Sequence, residues 1–146
     1  MLTVKTILEK KGSQVYSVRA DQTVFDALKI FAEKQIGAVL VMDGESLCGI
    51  FSERDYARKI VLKGLFSKDT LVKEVMTNDV ITVGPDANVL ECLSLMTDKH
   101  IRHLPVLEGN KILGMITIGD AVNKVIHSQR ETIESLENYI KGGYYS

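Results

Sequence analysis

The chain has 146 residues, 45% of them hydrophobic and 25% charged, with 18 basic and 19 acidic side chains for a net charge of −1. That length gives one ordinary domain or two very small ones, and the even charge balance leaves no basic footprint for nucleic acid or an anionic membrane surface. No apolar run approaches the roughly 18 residues of a membrane span, and the N-terminal "MLTVKTILEKKG" lacks a signal-peptide core and cleavage site, so a cytoplasmic protein is expected.

The chain opens with a short leading segment, "TVKTIL" (3–8), followed by an extended piece at 15–18. Thr23 then starts a helix whose apolar positions Val24, Leu28 and Phe31 recur at helical spacing. An apolar strand at 38–42 enters the tight turn "DGES", where a glycine supplies positive φ. A second strand at 47–51 leads into a second helix that starts near Asp55, and residues 62–79 form a bridge.

From residue 80 the same order is written again. Residues 15–61 align with 80–126 without a gap at an offset of 65, with identities such as Val18/Val83, Leu28/Leu93, Gly49/Gly114 and Asp55/Asp120. The second copy has its extended piece at 80–83, a helix started by Asn88, strands at 104–107 and 112–116, and a helix starting near Asp120. The leading segments also correspond, "TVKTIL" (3–8) with "LVKEVM" (71–76). A β-α-β-β-α unit of about 50 residues cannot cover both faces of its sheet alone. Two copies packed about a pseudo-twofold axis would, so one α/β module is expected, with repeats at 3–64 and 70–127 and a helical extension at 128–146. Cys48 and Cys92, without C-x-x-C spacing and in apolar surroundings, read as buried reduced thiols.

This tandem resembles a CBS-domain pair, or Bateman module. The resemblance rests on "ITVGPDANVLECLSLM" and "HIRHLPVLEGNKILGMITIGD", and on "YSVRADQTVFDALKIF" and "IGAVLVMDGESLCGIFSERD" in the first copy. It implies a regulatory sensor, not an enzyme, that binds an adenosine-containing ligand between the repeats: AMP, ADP, ATP, NAD(H) or S-adenosylmethionine. It also implies a homodimer. In the family, the Asp of an S/T-x-x-D motif takes the ribose hydroxyls while the Ser or Thr lies near phosphate. Here the motif occurs as Ser52-Glu53-Arg54-Asp55 and Thr117-Ile118-Gly119-Asp120. A carboxylate can accept both hydrogen bonds of a cis-diol, and amides at the start of a helix favour phosphate.

By the same resemblance Arg102 and His103 face phosphate, Arg54 reaches the ligand of the opposite repeat, and Thr82 and Ser17 meet the adenine edge. The second site, with Thr82, Arg102, His103, Thr117, Asp120 and Arg54, is the better furnished. The first offers Ser17, Ser52 and Asp55. Spacing alone reads both S/T-x-x-D motifs as helix capping boxes, a role compatible with ligand contact.

His100 and His103 are three apart, but no Cys or carboxylate completes a set, so no metal is expected. There is no G-x-G-x-x-G, G-x-x-x-x-G-K or G-x-S-x-G motif, which disfavours a Rossmann enzyme, a P-loop hydrolase or a serine hydrolase. Ile133, Leu136 and Ile140 share one helical face of the tail, with Gly142-Gly143 as the expected stop. That face fits either packing on its own module or contact with a second subunit. The alternative function is an interaction or regulatory subunit with a degenerate ligand site.

Overall fold

A computed structural model describes residues 2–145, with side chains described through residue 141. Helices and strands follow in the order α1 Val4–Lys11, β1 Ser17–Arg19, α2 Val24–Lys34, β2 Ala38–Asp43 and β3 Ser46–Ser52. Next come α3 Glu53–Asp55, continued as a π-helical stretch Tyr56–Val61, and α4 Val72–Val75. The second half holds α5 Val89–Lys99, β4 His103–Glu108, β5 Lys111–Thr117 and α6 Ile118–Tyr145.

The two repeats take the same local form because they carry the same local signals. Thr23 caps α2 by accepting from the Asp26 N–H at 3.2 Å, and Asn88 caps α5 by accepting from the Leu90 N–H at 2.8 Å. Gly44 and Gly109 turn the two hairpins at φ of 62° and 61°, where a Cβ would be strained. β2 pairs antiparallel with β3, and β4 with β5, each with a register shift at the equivalent place, Val41/Met42 and Val106/Leu107. In the first repeat β1 adds a parallel strand to make a sheet of order β1-β2-β3. In the second repeat that piece is reduced to one parallel bridge, Val83↔Val106. Pro85, two residues on, has no N–H to extend the ladder.

The chain folds into two compact units, and their boundaries differ from those of the repeats: one is Gln14–Ile81, the other Met1–Ser13 with Thr82–Ser146. Each repeat's sheet is thus completed by the leading helix of the other. In the first unit the Val72 N–H donates to Gln22 O at 2.8 Å and the Lys73 N–H to Ala20 O at 3.1 Å. In the other unit the Val4 N–H donates to Ala87 O at 3.0 Å and the Lys5 N–H to Pro85 O at 2.8 Å. These are the same bonds at equivalent positions.

Packing repeats the equivalence. A Cβ on Gly49 would collide with the side chain of Met76, just after α4, and one on Gly114 would fall 2.8 Å from Leu8 Cδ2 of α1. At both glycines a side chain from the leading segment of the other repeat occupies the space that a Cβ would take. The core of the first unit gathers Val18, Val24, Phe31, Val39, Val41, Phe51 and Ile60 around Val72 and Val75. Phe31 and Phe51 stack with centroids 6.0 Å apart. The other unit buries Val4, Ile7, Val89, Met96, Leu104, Val106 and Ile116.

Two expectations are corrected. Cys92 is buried, and burial pushes its thiol pKa up, but Cys48 is only half-buried and donates to Val41 O at 3.3 Å. The second helix of repeat two and the tail are one helix, α6, whose backbone runs through Gly142-Gly143. Glycine disfavours a helix by about 1 kcal/mol without forbidding it. Of the two placements open to the tail face, its own module does not cover it: Ile133, Leu136 and Ile140 are exposed.

Gly114→Ala is expected to lower the urea midpoint, at a cost of about 1–3 kcal/mol from overpacking. Adding Leu8→Ala should return part of that loss, so that the double variant is more stable than the sum of the singles. Strict additivity in a double-mutant cycle would show that the helix does not depend on the missing Cβ.

Candidate functional site

Each S/T-x-x-D motif sits where a strand passes into a helix, and each forms a reciprocal cap. In the unit containing α6, the Asp120 N–H donates to Thr117 Oγ1 at 3.1 Å and the Thr117 N–H donates back to Asp120 Oδ2 at 2.9 Å. In the other unit the Asp55 N–H donates to Ser52 Oγ at 3.2 Å and the Ser52 N–H to Asp55 Oδ2 at 3.0 Å. The capping role read from spacing is thus present at both.

Around Asp120 the fold collects positive charge. α1 lies against β5 and α6. Its last residue, Lys11, sets its Nζ 2.6 Å from Asp120 Oδ2 and donates to Met115 O at 2.9 Å. β4 begins at His103, directly opposite Thr117 in the antiparallel ladder. The Arg102 carbonyl accepts from the Ile118 N–H at 2.9 Å, tying the residue before β4 to the first residue of α6. Lys11, Arg102, His103, Thr117 and Asp120 therefore meet at one end of the β4–β5 pair. Both the cap and the ion pair fall on Oδ2 of Asp120, so Oδ1 takes no part in either. Thr82 is exposed and precedes the Val83 bridge to β4.

Lys11 was not singled out from the sequence. The signal that could have found it is weak: a lysine at the end of a leading segment whose counterpart position in the other repeat is Asp79. Burial lowers the His103 pKa below the ordinary 6.5, Lys11 and Arg102 lower it further, and Asp120 opposes them.

The first-repeat motif is built differently. Asp55 is 15% exposed against 25% for Asp120, and both of its oxygens are engaged. Its Oδ2 also accepts from the Ser52 hydroxyl at 3.2 Å, while Oδ1 lies 3.2 Å from Lys59 Nζ and 3.5 Å from Thr77 Oγ1. Lys59 is held in turn by Val75 O at 2.9 Å. Ser17 lies on β1, separated from Ser52 on β3 by the whole of β2, about 10 Å at ordinary strand spacing. Arg54 is half-buried on α3, in the same unit as Ser52 and Asp55. An open cleft of about 620 Å³ in this unit is lined by residues of α2 with Gly37, Glu53 and Tyr56, and by none of the expected site residues. Among the described residues no group of three His, Cys, Asp or Glu side chains could hold a metal ion.

A doubled strand–helix unit with a capped carboxylate at each strand end defines the class: the chain belongs to the CBS-domain family, which matches it at residues 4–62 and 72–127. Such modules are regulatory. The mitochondrial CBS domain-containing protein CBSX3 of Arabidopsis thaliana is 40% identical over 97% of this chain and 73% of its own length. A solved CBS-domain protein of Burkholderia ambifaria is 49% identical, superposes with a TM-score of 0.83, and is matched over 87% of this chain and 96% of that one. A hexameric CBS-CP12 protein of bloom-forming cyanobacteria is 28% identical with a TM-score of 0.75, over 83% of this chain and 66% of that one. Among the described residues no helix is long and apolar enough to cross a membrane.

The lowered His103 pKa makes a pH prediction with a definite sign. The unfolded chain takes up this proton near pH 6.5 and the folded chain only at lower pH, so stability falls as pH drops below 6.5. The part due to His103 should vanish in His103→Gln. Lys11→Met should move the His103 titration upward when followed by NMR, since it removes the second-largest cause of the shift. An unmoved titration would mean that Lys11 does not act on this site.

Proposed function

We propose that the protein is a regulatory sensor of an adenine nucleotide, with Asp120 holding the ribose. The observation that carries this reading is the gathering of Lys11, Arg102 and His103 around one carboxylate at the start of α6. The Lys11 and Arg102 cations beside a capped helix start suit phosphate, and a carboxylate oxygen outside the cap suits a diol. In this reading Thr117 meets the phosphates and Thr82 the base. The candidate ligands are AMP, ADP, ATP, NAD(H) and S-adenosylmethionine. Ser17, Ser52 and Asp55 form the weaker site, because Asp55 already spends both oxygens on Ser52, Lys59 and Thr77. A homodimer without catalytic activity, resident in the cytoplasm, belongs to the same proposal.

The second reading is an interaction subunit whose ligand site has degenerated. It is favoured by exposed apolar side chains, Leu62 and Phe66 at 79% and 72% exposure.

Thermal unfolding of nucleotide-free protein with each candidate ligand separates the two. Ligand at about 100 times its dissociation constant adds roughly 2.7 kcal/mol. For a domain of this size that is a shift of about 5–10 °C. One ligand should give the shift and Asp120→Asn should abolish it, while Asp55→Asn leaves most of it. No shift across the panel would favour the interaction subunit. Lys11→Met should weaken AMP at least about fivefold while sparing adenosine, as expected for the loss of a charge-assisted phosphate contact of about 1 kcal/mol or more. Equal weakening of both would assign Lys11 to the carboxylate alone.

A further inference from the structure

Beyond its second turn α6 carries apolar residues out into solvent. Ile126, Ile133, Leu136 and Ile140 are 41%, 55%, 56% and 62% exposed. With Val122 and Gln129 they recur at alternating intervals of four and three, the 3.5-residue period of a seam that reads another helix. A helix lying on its own globular core shows a wider stripe. Ile126, Ile133 and Ile140 hold one core position of the heptad, and Leu136 holds the other.

We propose that this seam is closed by the same seam of a second copy of the chain, in an antiparallel pair. Charge selects both the partner and its direction. Arg130 and Glu137 stand one heptad apart on the same flank of the seam. In an antiparallel pair that flank faces its own copy. When Ile133 packs across from Leu136 of the second copy, Arg130 falls opposite Glu137 of that copy, and Glu137 opposite its Arg130. Sliding by one heptad either way sets Arg130 against Arg130, or Glu137 against Glu137, and is repulsive. A parallel pair offers Val125 to Arg130 and Thr132 to Glu137, so neither charge meets its opposite. Self-complementarity therefore exists in one register.

The inference is independent of what the nucleotide site binds. Sedimentation of the full chain over a concentration series tests it. The wild type should show a monomer–dimer equilibrium. Ile133→Asp combined with Leu136→Asp should abolish the dimer with the thermal unfolding of the monomer unchanged, because both side chains are exposed within one chain. Arg130→Glu alone should weaken association by about tenfold or more, and Glu137→Arg added to it should restore it. A dimer indifferent to the seam substitutions, or a wild type that stays monomeric, would overturn the proposal. A dimer lost with the seam but unmoved by the charge exchange would overturn the antiparallel register.

Discussion

The exchange of the two short leading helices is the constraint on which the rest depends. Neither sheet has a complete cover from its own repeat: α4 closes over β3 at Gly49, and α1 closes over β5 at Gly114. At each contact the strand carries a bare Cα, and a Cβ there would have to displace the Met76 or Leu8 side chain. Equivalent backbone bonds hold both helices, Val72 to Gln22 and Val4 to Ala87. A chain wired this way crosses between units twice, after Ser13 and after Ile81, so neither repeat has its full core unless the other has delivered its helix. Cooperativity between the repeats then follows from connectivity, in a pair of units each too small to be stable on a partial core.

The same exchange makes the two carboxylate sites unlike. α1 ends in Lys11, and packing against β5 carries that ammonium to Asp120. The residue in the corresponding place after α4 is Asp79, which could only repel Asp55. Asp55 instead takes its cation from its own helix, Lys59 at i+4, and Thr77 from the chain following α4. One carboxylate is thus neutralised from within its repeat and largely saturated. The other is neutralised by a partly exposed lysine from a distant segment, a pair that water screens and that a competing anion can loosen. Sequence identity at Asp55 and Asp120 conceals this difference entirely.

What could be read in advance was whatever is written locally and twice. The strands, hairpin turns, caps at Thr23 and Asn88, and the boxes at Ser52–Asp55 and Thr117–Asp120 all follow from short-range chemistry. The exchange was not legible, because "TVKTIL" and "LVKEVM" are near-equivalent and the groups that receive them are backbone carbonyls. Nothing in either segment distinguishes its own repeat from the other. Lys11 was missed for the same reason: its role is set by where α1 goes, 109 residues from Asp120 along the chain. The end of α6 was misjudged because Gly142-Gly143 read as a stop, whereas the helix backbone runs through both. Arg102 and His103 were legible as a pair by position, but only the register of His103 against Thr117 joins them to the cap.

α6 gives the arrangement a mechanical reading. Its first turn contains Asp120, and its exposed seam extends to Ile140, about 30 Å further along the axis at 1.5 Å per residue. A helix that is continuous over that length transmits a change of tilt at its start as a larger displacement at its end. Loosening the Lys11–Asp120 pair alters what holds the first turn, while Thr117 and the Arg102 carbonyl continue to hold its backbone. A ligand that drew Lys11 away would therefore act on the side that packs against α1 and leave the cap in place. Such a ligand affects association only by its difference in affinity for the single and the paired chain. By the same thermodynamic requirement, pairing changes the affinity for the ligand by an equal factor.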